Sequence, residues 1–403
     1  MLRERDLELQ GVQRHTAAKP GPELLTFLHN LQRDRDELVD MIVAATGYSV
    51  AQVARILDTF LAETASGPVP AAPEQVWSRV LVVLAGNTFV LPLQVLCRCA
   101  DLPGNLALTL KPASDQATLV AAYAARFPRP VQLVADVPDY NTYDRVVVYG
   151  SDATIRALSA RVEPARFVPR GHRFAIGVVD VSDGRSRLLQ EETLIAAIAD
   201  DVTLFRQSGC LSLNSLFIGS TKPGGSNEGK EHKPSASSIS AAPAPKRSEG
   251  WAEQFCARLS EAIAARAEAL PFEDQVFACQ RRQTALADEQ TQVFEHVILT
   301  EEPRYLLSRG NLLTVYPFAD PERILATLGP LAERVQGIAL APWPETVPAW
   351  IARTSASYVC PFGRLQFPPL SWAEDNEPWS AVIGKHVVFS HQGPTPHIAT
   401  RGA

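Results

Sequence analysis

The chain has 403 residues, 46% of them hydrophobic and 20% charged, with a mean hydropathy of −0.03. At about 100–200 residues per domain this is two or three domains, with ample length for a sizeable core. Its 38 Lys+Arg against 44 Asp+Glu leave a net charge of −6, which argues against a nucleic-acid binder because such a surface needs a basic stripe. Six cysteines are too sparse for a disulfide scaffold and fit a reduced, cytoplasmic setting. The opening MLRERDLELQ is charged from its third residue and has no apolar signal region. No apolar run approaches the roughly 18–20 residues of a membrane span.

Residues 1–75 read as a helical segment. Leu24, Phe27, Leu28 and Leu31 recur at helical spacing, Gly47 is a stop signal, and Ser49 is placed to cap a helix lined by Val53, Ile56, Leu57 and Phe60. A joint rich in Pro, Ala and Gly, SGPVPAAPE, ends it. From Val80 short apolar strands alternate with helices, beginning with RVLVV, the helix around Cys97 and Cys99, and LALTLK. Strands RVVVYG and FAIGVVDV and helices ATLVAAYAARF, DATIRALSARV and EETLIAAIADDVTLF continue the pattern. Such alternation with near-continuous apolar strands predicts doubly wound α/β lobes with parallel sheets.

After strand LSLNSLFIG, residues 220–250 are dominated by Ser, Pro, Gly, Ala and Lys, with Ile239 the only large aliphatic residue. That composition predicts disorder, as a linker or as an insertion in one loop. A second α/β set follows: helix WAEQFCARLSEAIAARAEAL, strands VFEHVILTE and LLTVYPF, helix PERILATLGPLAERV, strand GIALAPW, helix TVPAWIARTSA and strand YVCPFG.

Cys210, after Gly209 at a helix-to-strand junction, is the strongest candidate for chemistry. As a thiolate it is a competent nucleophile, and loop N–H groups could stabilise an oxyanion beside it. The competing reading is a small buried hydrophobe. Cys97, Cys99, Cys256, Cys279 and Cys360 read as core. Lys111 stands at the carboxyl end of a strand, where open α/β sheets bind ligands, and could hold a ribose or phosphate; most lysines, however, are simply solvated. Gly150 and Ser151 stand between a strand and a helix N-terminus able to receive a phosphate. His172, between Arg170 and Arg173 just ahead of a strand, could meet a ligand or be structural. No G-x-G-x-x-G, Walker A, H-E-x-x-H, Cys/His quartet or G-x-S-x-G is present, so a metal site and a serine hydrolase are not expected.

In order, GNLALTLKPAS, VVYGSDATIRAL, GHRFAIGVV, IADDVTLFRQSGCLS, LLTVYPF and YVCPFGRLQFPPLSWAEDNEPW resemble the acyl-CoA reductase family typified by the fatty acid reductase of bacterial luminescence. That family belongs to the aldehyde dehydrogenase superfamily. The resemblance spans about residues 80–380, and the run through Cys210 is its most specific part. It implies an aldehyde dehydrogenase-like α/β fold with two doubly wound lobes behind the helical N-terminal segment. Residues 76–206 would form the cofactor lobe, 207–380 the catalytic lobe with 220–250 inserted, and 381–403 a tail.

The resemblance also assigns roles. Cys210 becomes the acyl-accepting nucleophile, and Asn87 lies near the superfamily's oxyanion asparagine. Lys111 contacts the adenosine ribose or its 2′-phosphate, and Gly150 and Ser151 form the cofactor phosphate loop. The superfamily's hydrolytic glutamate is replaced by GHRFAIGVV and its EIFGP-type glutamate by SRGNLLTV, which suits thioester exchange over hydrolysis. The implied activity is NADPH-dependent reduction of an acyl-CoA or acyl-protein thioester to the aldehyde, with NADH also admissible. An acyl-protein synthetase or acyltransferase subunit and a homo-oligomer are the implied partners. Three rivals stand beside it: the oxidative, CoA-acylating direction; a non-catalytic partner-binding subunit; and an acyltransferase pairing Cys210 with His172.

Overall fold

The computed structural model describes residues 17–182, 185–219 and 251–384. The expected insertion at 220–250 and residues 385–403 of the expected tail lie outside them. The helical lead-in forms three helices, α1 (Pro22–Arg33), α2 (Arg35–Thr46) and α3 (Val50–Ser66). The first two part at Asp34, which leaves helical geometry and bonds Arg33 and Arg126 through its carboxylate. Gly47 ends α2 at φ 67°, a left-handed conformation that glycine takes without a steric penalty. The Ser49 hydroxyl accepts the Gln52 N–H at 3.2 Å and so caps α3.

The smaller sheet has five parallel strands: β1 (Arg79–Val83), β2 (Ala107–Lys111), β3 (Val131–Leu133), β4 (Arg145–Tyr149) and β5 (Phe167–Arg170). Their order is β3-β2-β1-β4-β5. Side chains alternate as the pleat requires. Val80 and Val82 face a core built with α1–α3, α4 (Leu91–Ala100) and α5 (Ala117–Arg126). Leu81 and Val83 face the opposite core, on the side of α6 (Asp152–Ser159). The lead-in is thus one covering layer of this lobe rather than an appendage. Strand β5 carries Pro169 and was not legible in the sequence; at a sheet edge its missing N–H is tolerated. The order of winding reverses between β1 and β4, which opens a crevice at their carboxyl ends.

The larger sheet has seven strands: β6 (Phe174–Asp180), β7 (Leu213–Gly219), β8 (Gln292–Val293), β9 (Val297–Leu299), β10 (Leu313–Phe318), β11 (Val335–Ala341) and β12 (Tyr358–Pro361). Their order is β8-β9-β10-β7-β6-β11-β12, parallel except for the β8–β9 pair. Helices α7 (Glu192–Thr203) and α8 (Trp251–Ala264) cover one face, while α10 (Pro321–Leu328) covers the other. Between these two, α9 (Phe272–Leu286) runs beside the cleft described below.

The changeover between sheets falls between Arg170 and Phe174, whereas the sequence placed the lobe boundary near Gln207. Every position of FAIGVV is buried, which identifies a covered parallel strand but not the sheet it joins. The helix expected at TVPAWIARTSA is a single 3₁₀ turn, Ala349–Arg353, because Pro348 is extended ahead of it and Thr354 behind.

Candidate active site

A cleft of about 660 Å³ separates the carboxyl ends of β1 and β4 from the amino ends of β7, β10 and β11. Asn87, Gly150, Ser151, His172 and Cys210, scattered over more than a hundred residues of sequence, all line it. Lys111 does not. It is half-buried at the end of β2, one strand outward from β1.

Cys210 is delivered by an unusual turn. Phe205, Arg206 and Gln207 have φ of 54°, 53° and 61°, three consecutive non-glycine residues in the left-handed region. Each costs about 1–2 kcal/mol, so side chains must hold the turn. Arg206 donates to the Thr46 carbonyl at 3.0 Å and lies 4.1 Å above the Tyr48 ring. Phe205 meets the edge of Phe89. Buried Gln207 donates to the carbonyls of Leu213 (2.8 Å) and Leu312 (2.9 Å) and accepts the Leu312 N–H (3.1 Å).

Beyond the turn, the Gly209 N–H donates to Ser212 Oγ at 3.0 Å, and Gln366 Nε2 donates to the same oxygen at 3.0 Å. Gln366 belongs to the segment FGRLQ, which is fixed to α7 by Asp201. This fully buried carboxyl accepts the N–H groups of Gly363 (2.6 Å) and Leu365 (3.2 Å). Burial pushes the Asp201 carboxyl up to about 8, against the pull of those two donors.

Cys210 is partly exposed on the cleft wall. Burial pushes its thiol up to about 12, with the Glu374 and Asp375 charges adding to the rise and the N–H groups of Cys210 and Leu211 opposing it. Both carboxylates line the cleft. Glu374 accepts from the Tyr149 hydroxyl (3.0 Å) and Gln336 Nε2 (3.3 Å), while Asp375 accepts from Arg170 and Arg173, each at 3.1 Å. These acids were missed as site residues, although SWAEDNEPW lies within a segment that carries the family resemblance.

Two β-bulges were also beyond sequence reading. On one side of β6, Ala175 pairs with Leu213 and Ile176 with Ser215, which leaves Asn214 extra. On the other side, Phe174 pairs with Val335 and Ala175 with Gly337, which leaves Gln336 extra. Bulges re-aim side chains, and both Asn214 and Gln336 line the cleft.

The remaining expected residues take definite places. Asn87 Nδ2 donates to the Ser208 carbonyl at 2.8 Å. His172 is exposed, and its backbone N–H donates to Asp152 Oδ1 at 3.3 Å. A Cβ at Gly150 would stand 2.9 Å from Thr154 Cγ2, so the strand-to-helix turn there is stripped to backbone. Ser151 caps α6 through the Thr154 N–H at 3.2 Å. Asp152 then sets a carboxylate at the start of that helix, paired with Arg334 at 2.8 Å. Cys97, Cys99, Cys256 and Cys360 are buried as expected, but Cys279 is exposed. Among the described residues no cluster of His, Cys, Asp and Glu could hold a metal, and no helix is long and apolar enough to cross a membrane.

The fold has solved relatives. A NAD-dependent benzaldehyde dehydrogenase from Corynebacterium glutamicum aligns over 94% of this chain and 85% of its own, at 14% identity and a TM-score of 0.59. A succinate-semialdehyde dehydrogenase from Burkholderia pseudomallei aligns over 89% and 82%, at 13% identity and a TM-score of 0.60. A glyceraldehyde-3-phosphate dehydrogenase from Methanocaldococcus jannaschii, complexed with NADP, aligns over 86% and 80%, at 8% identity and a TM-score of 0.55. These likenesses establish an aldehyde dehydrogenase fold. No curated protein matches the chain in sequence. The acyl-CoA reductase (LuxC) family matches residues 54–367, a span that holds both sheets and Cys210 but ends short of Glu374 and Asp375, and the chain belongs to that family of oxidoreductases.

Proposed function

We propose that the cleft reduces an acyl thioester to the aldehyde through an S-acyl enzyme at Cys210. The supporting observation is the position of Cys210. It stands across the cleft from the carboxyl ends of β1 and β4, where the winding of the smaller sheet reverses. Crevices of that kind receive nucleotides in open α/β sheets. The bare Gly150 turn and Lys111 one strand outward fit a dinucleotide extended along those strand ends, with Lys111 reaching a ribose hydroxyl or a 2′-phosphate. A reduced nicotinamide, NADPH in this reading, supplies hydride when bound there.

The chain's own groups handle the sulfur and the proton. The thiol must lose its proton before it attacks the thioester carbonyl. Glu374, held by Tyr149 and Gln336, is the acceptor this reading assigns. The new bond joins Cys210 sulfur to the acyl carbon, the bond from that carbon to the carrier sulfur breaks, and the carrier leaves as its thiol with the proton. Backbone N–H groups at Cys210 and Leu211 stabilise the charge that passes through this end of the cleft. Asp375 is tied to Arg170 and Arg173, which leaves it poorly placed to activate water and suits thioester exchange. Reduction of the S-acyl group gives a thiohemiacetal, whose collapse releases aldehyde and frees Cys210.

The test is NADPH and NADH consumption with acyl-CoAs of graded length, products identified by mass spectrometry. Aldehyde formed in step with cofactor oxidation supports the reading. Consumption of aldehyde and CoA alone, with none of the forward reaction, would reverse its direction.

A further inference from the structure

Among the described residues five basic side chains line the cleft, and three of them, Arg170, Arg173 and Arg309, face carboxylates. Arg170 is tied to Asp375 and Glu377 at 3.1 Å each, and Arg173 to Asp375 at 3.1 Å. His172 bonds through its backbone, and Arg309 stands 3.5 Å from Asp274. Arg281 differs: among the described residues no carboxylate lies within ion-pair distance of it. Its Nη atoms donate to the carbonyls of Arg304 (2.9 Å) and Leu307 (2.7 Å), while its buried Nε has no partner among the described residues. A guanidinium has five N–H donors, so donors remain.

The surroundings of Arg281 are aromatic rather than acidic. Its guanidinium lies 5.3 Å from the Phe277 ring centroid and 5.6 Å from that of Tyr305, and Arg309 covers Phe277 at 4.6 Å. Two cations therefore share one ring on the wall made by α9. A half-buried guanidinium with no carboxylate in reach and a donor unmet leaves room for an anion in the cleft.

We propose that Arg281 and Arg309, both packed on Phe277, receive a phosphate group of the ligand that fills the cleft. Phosphate monoesters and pyrophosphates match the planar fork of a guanidinium. Both the carrier of a coenzyme A thioester and a nicotinamide dinucleotide bear them. The inference rests on the function proposed above and adds where the phosphate docks.

Calorimetric titration of the full chain with coenzyme A, 3′-dephospho-coenzyme A, pantetheine, NADP⁺ and NAD⁺ tests it. Arg309→Met, whose side chain is half exposed, and Arg281→Met should each weaken a phosphate-bearing ligand by about ten-fold or more and leave pantetheine unchanged. Weakening confined to coenzyme A assigns the site to the thioester carrier, and weakening confined to the dinucleotides assigns it to the cofactor. Equal affinities in both variants and wild type, or equal losses for pantetheine, overturn the proposal. A phosphate-free acyl-N-acetylcysteamine thioester separates the two readings. If it acylates Cys210 while the arginine variants bind normally, the phosphate site fails and the proposed function stands. If Cys210 is never acylated, the proposed function fails.

Discussion

Asn87 Nδ2 donates to the carbonyl oxygen of Ser208 at 2.8 Å, joining the loop after β1 to the turn that carries Cys210. This amide is one of the bonds between the two lobes, and it falls two residues before the nucleophile. The Nδ2 group has a second N–H, which stays available for the oxyanion role the resemblance implies, while the first fixes the turn. Asn87→Ala removes one exposed hydrogen bond worth about 1 kcal/mol. The expected outcome is a small fall in melting temperature but a roughly ten-fold slower acylation, about 1.4 kcal/mol, with KM little changed. Single-turnover acylation kinetics with calorimetry check the pair.

Glu374 raises the Cys210 thiol by its charge while serving, in the mechanism proposed, as the proton acceptor. Glu374→Gln keeps the polar shape but removes the charge. Loss of a neighbouring anion favours the thiolate, so the thiol should titrate lower and iodoacetamide alkylation at pH 8 should speed up. Thioester acylation at the same pH should slow. Opposite changes in the two rates are the expected signature; parallel changes would leave Glu374 a bystander charge.

Asp201 lies behind the nucleophile turn with its carboxyl at about 8. An unfolded aspartate titrates near 3.9. The folded state therefore holds its proton more tightly, and the stability this contributes is fully present below about pH 4 and lost as pH rises through about 8. Asp201→Asn, with no proton to lose, should flatten that part of the profile. Urea midpoints for both proteins between pH 4 and pH 9 check it.

Gln207 satisfies two buried carbonyls and one buried N–H, each costing about 1–3 kcal/mol if left unpaired. Gln207→Ala should destabilise the chain measurably in urea and slow acylation of Cys210. Gln207→Glu should fail to restore either, because a carboxylate cannot donate to the Leu213 and Leu312 carbonyls.

Much of the fold was legible because its signals are local. Alternating apolar strands and helices announced the doubly wound lobes, and the Ser49 cap and Gly47 stop reappear in place. Cys210, Asn87, Gly150, Ser151 and His172, each singled out in the sequence, line one cleft. What escaped depends on register and distance. A bulge at Asn214 or Gln336 is decided by which partner residue a strand meets, which no single strand records. Phe174–Asp180 reads the same in either sheet, so the lobe boundary was misplaced. Glu374 and Asp375 sit 164 and 165 residues after Cys210, and only the folded chain brings their charges to bear on it. The left-handed turn at Phe205–Gln207 carries no glycine to signal it.

The most direct test of the central claim is mass spectrometry of the protein incubated with an acyl-CoA in the absence of nicotinamide. The wild type should gain one acyl group on the peptide holding Cys210, and NADPH should then discharge it as aldehyde. Cys210→Ala should gain no acyl group and form no aldehyde. An acyl adduct elsewhere, or undiminished aldehyde from Cys210→Ala, would contradict the account.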